Sequence, residues 1–104
     1  MASALPVVVT GYGACLDFCD DANALLIPST VAPLAVESMG PSPAGYWWAE
    51  PDADALAALL RRVVDQPSVL EGLGEAGRAR IVERFSWERT DALAARRLAA
   101  LTRG

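Results

Sequence analysis

The run Leu5-Pro6-Val7-Val8-Val9-Thr10 shows no alternation of apolar and polar side chains. A strand with one wet face alternates, whereas a strand that is apolar along its length needs cover on both faces, the pattern of a parallel sheet. The run ends at Gly11-Tyr12-Gly13, and Pro6 stands at its start, where a missing N–H is tolerated. Ala24-Leu25-Leu26-Ile27-Pro28 is a second run of this kind, stopped by its proline. Buried strands are therefore predicted over 5–10 and 24–28. Between them, Ala14 to Cys19 has room for one or two helical turns, and Asp20-Asp21-Ala22-Asn23 is turn material.

The rest of the chain divides into an irregular stretch and three helical patterns. Residues 29–48 carry Pro33, Pro41 and Pro43 with Gly40 and Gly45, and are expected as a long loop. Loops of that length often border a functional surface. From Asp52, a good N-cap, Leu56, Leu59, Leu60, Val63 and Val64 form one apolar stripe on a helix over 52–65, before Pro67. Ser68 with Glu71 three residues on is a capping-box pattern for a helix over 68–83. Gly72, Gly74 and Gly77 weaken that helix by up to ~1 kcal/mol each relative to Ala, so it needs tertiary support; the same glycines allow a neighbour to come close. Ser86 caps a third helix over 86–102, with Trp87, Ala94, Leu98 and Leu101 on one side.

Composition excludes several chemistries. The 104 residues make one domain or part of one. The net charge is -4, with residues 1–60 at -7 and residues 61–104 at +3. Such an acidic chain is not expected to bind nucleic acid. No apolar run reaches the ~18 residues of a membrane span, and the first residues lack the positive charge of a secretory signal, so a cytoplasmic location is expected. All bases are Arg, and the first comes at position 61, so the first 60 residues offer a phosphate no side-chain cation. Without His there is no Ser-His or Cys-His pair, and without Lys there is no Schiff base or P-loop. Cys15 and Cys19 are too few for a closed zinc site and read as small core thiols.

Four groups of residues are candidates for a site, and each has a plainer reading. Asp17 follows the first strand and is placed either to hydrogen-bond a ligand or to cap the short helix at 14–19. Glu50 and Asp52 form either a carboxylate pair for acid/base work or the acidic start of a helix. Tyr46, Trp47 and Trp48 form either a sugar-stacking platform or an anchor for the long loop. Arg96 and Arg97 lie on an Arg-rich helix that either binds an anionic surface or, given its interleaved acids, is a solvated face. In each case the plainer reading is preferred. No catalytic, cofactor-binding or metal-ligating residue is assigned, and no cofactor is expected.

Two short strands cannot make a sheet by themselves, because parallel strands need covered faces and neighbours at their edges. The chain thus reads as an α/β fragment, the last third of a domain whose front is missing: two short parallel strands followed by three helices. Its residues also match a family. Residues 1–10, Met1-Ala2-Ser3-Ala4-Leu5-Pro6-Val7-Val8-Val9-Thr10, resemble the "EAMA-small-G-x-P-V-V-x-T" segment of retaining glycosyltransferases of family four, which have the GT-B architecture of two Rossmann-like domains. Tyr12-Gly13-Ala14-Cys15-Leu16-Asp17-Phe18 resembles the loop that follows, and Asn23-Ala24-Leu25-Leu26-Ile27-Pro28 resembles the "N-A-x-L-V-P" strand. Gly40-Pro41 and Trp48-Ala49-Glu50-Pro51-Asp52 resemble the "G-P…W-A-E-P-D" stretch of one branch. Arg61-Arg62-Val63 and Glu83-Arg84-Phe85-Ser86-Trp87 are similar to the terminal helices. Ala4 departs from the pattern, which has Gly there.

The resemblance implies that residues 1–104 are part of the C-terminal, nucleotide-sugar-binding domain of a transferase that retains the anomeric configuration. The donor would lie at the carboxyl ends of that domain's strands. The family's glutamate pair, the basic residues that hold the diphosphate and the acceptor domain would all lie before Met1. The second glutamate would precede Met1 by two positions, making Met1 an internal methionine taken as a start. The isolated chain is then expected to be inactive; a nucleotide-sugar donor and a sugar or lipid acceptor are partners only of a longer parent. A separately encoded N-terminal half, or self-association through open strand edges, is the partner otherwise expected. The other reading is a small helical interaction module that docks onto a separately encoded protein.

Overall fold

The computed structural model describes residues 1–33 and 47–102. In it, β1 (Val8–Thr10) and β2 (Leu25–Ile27) pair in parallel, with Val8 opposite Leu25, Val9 opposite Leu26 and Thr10 opposite Ile27. The Leu25 N–H donates to the Val7 carbonyl and the Gly11 N–H to the Ile27 carbonyl, both at 2.9 Å, so the ladder runs one residue past β1 at each end. Both strands are shorter than 5–10 and 24–28, because Pro6 and Pro28 have no N–H to give. Parallel pairing needs a crossover of about a dozen residues or more, which residues 11–24 supply. Burial on both faces is not found. Ile27 is buried, but Val8 is exposed and the rest of β1 and β2 is half-buried, since among the described residues no third strand joins β1 and β2.

The crossover contains a 3-10 turn over Gly13–Asp17 and a tight turn at Asp20–Ala24. Asn23, only 3% exposed, organises the second of these. Its Oδ1 accepts from the Asp20 N–H at 2.9 Å and its Nδ2 donates to the Phe18 carbonyl at 3.1 Å. Asp20 Oδ1 accepts from the Ala22 N–H at 3.0 Å, the local Asp hydrogen bond that favours this residue in turns.

The loop expected over 29–48 is corrected at both ends. Ser29–Pro33 (β3) and Trp47–Pro51 (β4) pair antiparallel, with Val31 opposite Ala49 and Ala32 opposite Trp48. Thr30, Val31, Trp47 and Trp48 are β-branched or aromatic and suit a pleated ribbon, and the prolines sit at strand ends, where a two-stranded ribbon tolerates them. Gly40, Pro41, Pro43 and Gly45 lie outside the described residues.

The first helix, α1 (Ala53–Asp65), starts as its sequence predicts: Asp52 Oδ1 accepts from the Ala55 N–H at 2.9 Å. Leu56, Leu59 and Val63 of its stripe are half-buried, while Leu60 and Val64 are exposed. The helix expected over 68–83 is corrected. Pro67–Leu70 is a 3-10 turn, the backbone reverses at Gly72 with φ +75°, and α2 runs from Leu73 to Arg84. The Ser68–Glu71 capping box does not form; the Glu71 N–H closes the turn on the Ser68 carbonyl at 3.0 Å. Gly72 in the left-handed region cannot continue a helix begun at Ser68, and it sets a new start instead.

Gly74 and Gly77 are buried because the segment Met1–Leu5 crosses α2 there. A Cβ at 74 would collide with the Ala4 carbonyl, and one at 77 would lie 3.1 Å from Met1 Cε. Arg78 donates to the Ala2 carbonyl from the same helix. Ala4 itself takes φ +56°.

The last helix, α3 (Trp87–Thr102), is capped by Ser86, whose Oγ accepts from the Arg89 N–H at 3.3 Å. None of its residues is buried, and Trp87 is 84% exposed, so the predicted apolar side meets no cover among the described residues. Among the described residues the buried ones are few: Cys19, Asn23, Ala24, Ile27, Gly74 and Gly77. The radius of gyration is 18.5 Å, against about 13 Å for a compact chain of this length.

Candidate functional site

In an open α/β sheet, ligands bind outside the carboxyl ends of the strands. Here those ends are Thr10 and Ile27, and the loop that covers them is Gly11–Asp17. Gly11 packs against β2: a Cβ there would stand 3.4 Å from the Ile27 carbonyl oxygen and 3.5 Å from Leu26 Cβ. The Tyr12 N–H turns back to the Thr10 carbonyl at 2.8 Å, and Gly13 takes φ +70° to start the 3-10 turn. The Cys15 thiol lies beneath this turn, within 3.0 Å of the Thr10 carbonyl and 2.9 Å of the Tyr12 carbonyl. The loop therefore has a fixed backbone and an exposed rim of Tyr12, Gly13, Ala14, Leu16 and Asp17. The rim carries no cation.

Asp17 does not cap the short helix. It ends the 3-10 turn, which is closed by the Phe18 N–H on the Cys15 carbonyl at 3.2 Å. Its carboxylate is exposed on the loop and makes no hydrogen bond among the described residues. Glu50 and Asp52 are not brought together as an acid/base pair. Glu50 is exposed on β4 opposite Thr30, while Asp52 is engaged at the α1 N-terminus. Trp47 and Trp48 are adjacent on a strand and so point to opposite faces of the ribbon, which rules out one shared platform. Tyr46 lies outside the described residues. Arg96 and Arg97 are exposed on α3, in keeping with a solvated face.

Cys19 is buried, with its Sγ 3.6 Å from Met1 Sδ, and Cys15 is half-buried. Burial, with the neighbouring Cys15 thiol adding to it, pushes the Cys19 pKa up, so it stays a neutral thiol at neutral pH. This is core behaviour, as the sequence predicts. Among the described residues no cluster of His, Cys, Asp or Glu could hold a metal ion. No helix there is long and apolar enough to cross a membrane.

Sequence reasoning missed the ion pair between Arg80 and Asp20, which ties α2 to the crossover turn. It borders a cleft of about 240 Å³ that Asn23, Glu83 and Arg84 also line. A larger crevice of about 400 Å³, lined by Glu83, Arg84, Arg89 and Leu93, opens where α2 meets α3. No local pattern signals a pair sixty positions apart. Phe18 and Phe85, edge to face with ring centroids 6.0 Å apart, pack the end of α2 against the same crossover.

No family model matches the chain, and no solved structure matches it. A curated relative does. The chain is 35% identical over 88 residues to an MMP alpha-(1->4)-mannosyltransferase of Mycolicibacterium hassiacum, a match that covers 85% of this chain and 17% of that protein. The chain thus spans a small part of its relative's length, and over that part it is similar to a glycosyltransferase.

Proposed function

We propose that this chain is the C-terminal part of a nucleotide-sugar-dependent glycosyltransferase of the GT-B architecture, family four, acting with retention in the cytoplasm. The observation that carries this reading is the 35% identity to a mannosyltransferase over most of the chain. Two structural features support it. The parallel β1–β2 pair ends in a tight loop at its carboxyl side, where such a sheet receives its ligand. In addition, Ala4, which stands where the family pattern has Gly, holds the positive φ that favours glycine.

On this reading the rim of Gly11–Asp17 forms one wall of the donor site. The diphosphate is clamped by basic residues contributed from outside these 104 residues, as the family resemblance implies; the Gly11–Asp17 loop itself contains none. The acceptor is held by a separate domain. An activated mannose is the first donor to try, on the strength of the relative's name.

Calorimetry of the 104-residue chain with nucleoside diphosphates tests the missing clamp. Dissociation constants in the millimolar range or weaker are expected, about -4 kcal/mol or less in magnitude. Micromolar binding would overturn the proposal that the clamp lies elsewhere. The coding sequence just upstream of Met1 is expected to continue in frame and to end in Glu-Ala. A second reading, a helical module that docks onto a separately encoded partner, is favoured by the exposure of α3. Co-expression with the upstream gene product separates the two: a stable complex between two complete chains supports the module.

A further inference from the structure

We draw no further inference here: the strongest candidate, the uncovered side of the last helix carrying Trp87, Leu98 and Leu101, carries nothing because no feature of the structure shows what covers it.

Discussion

Ala4 and Gly74 meet where the first residues cross α2, and their requirements are opposite. Ala4 holds φ +56°, a conformation that costs an L-residue roughly 1–2 kcal/mol relative to the right-handed region. Ala4→Gly removes that cost but gives the unfolded chain more freedom, worth about 0.4–1 kcal/mol. The net expectation is a gain of about 0 to 1.6 kcal/mol in unfolding free energy, read by urea titration followed by far-UV circular dichroism. A lower midpoint contradicts the strain at this position. Gly74 admits the Ala4 carbonyl where a Cβ would collide with it. Backbone cannot step aside as a flexible side-chain tip can, so Gly74→Ala is expected to destabilise by about 1–3 kcal/mol, the usual range for overpacking. A silent substitution in the same titration would show that the crossing is not formed in solution. The sequence showed that these glycines permit close approach. It did not show what approaches, because the contact joins positions seventy apart.

At the scale of elements, legibility followed how local the determinant was. Asp52 and Ser86 cap α1 and α3 from the sequence position immediately before each helix, and both starts were readable. The Ser68–Glu71 pattern was equally local and misled, because Gly72 reverses the backbone before a helix from Ser68 can propagate. The β3–β4 ribbon was hidden by the prolines at its ends and by the long separation of its strands. The loop at the carboxyl ends of β1 and β2 was found through a rule of sheet topology. The role of Asp52 as a cap was decided by one hydrogen bond. The start of α3 has a pH signature. The Glu88 carboxylate accepts from its own N–H and from the Ser86 hydroxyl, which lowers its pKa. A depressed folded-state pKa means that the stabilisation is present above the ordinary glutamate value and is lost as pH falls through the lowered one. Protection of the amides in the first turn of α3, taken relative to the intrinsic exchange rate at each pH, should therefore fall on acidification through that range, and Glu88→Gln should remove this dependence. Protection that is equally pH-sensitive in the substituted chain would place the titrating group elsewhere.

Across the whole molecule, little of the described chain is buried. Among the described residues six are buried and none of these is in α3, and the radius of gyration is well above the compact value. Hydrophobic burial scales with the apolar area removed from water, so a core of this size offsets little of the chain's conformational entropy. Over 88 residues the chain is 35% identical to one segment of a much longer mannosyltransferase. The most direct test is to produce the protein encoded when the reading frame is extended upstream of Met1, beside the 104-residue chain. Release of nucleoside diphosphate from nucleotide-sugars, an activated mannose first, is then measured for both. The account predicts turnover by the extended protein and none by the short chain. Turnover by the short chain alone, or an extended protein that is folded and inert toward every nucleotide-sugar, would contradict it.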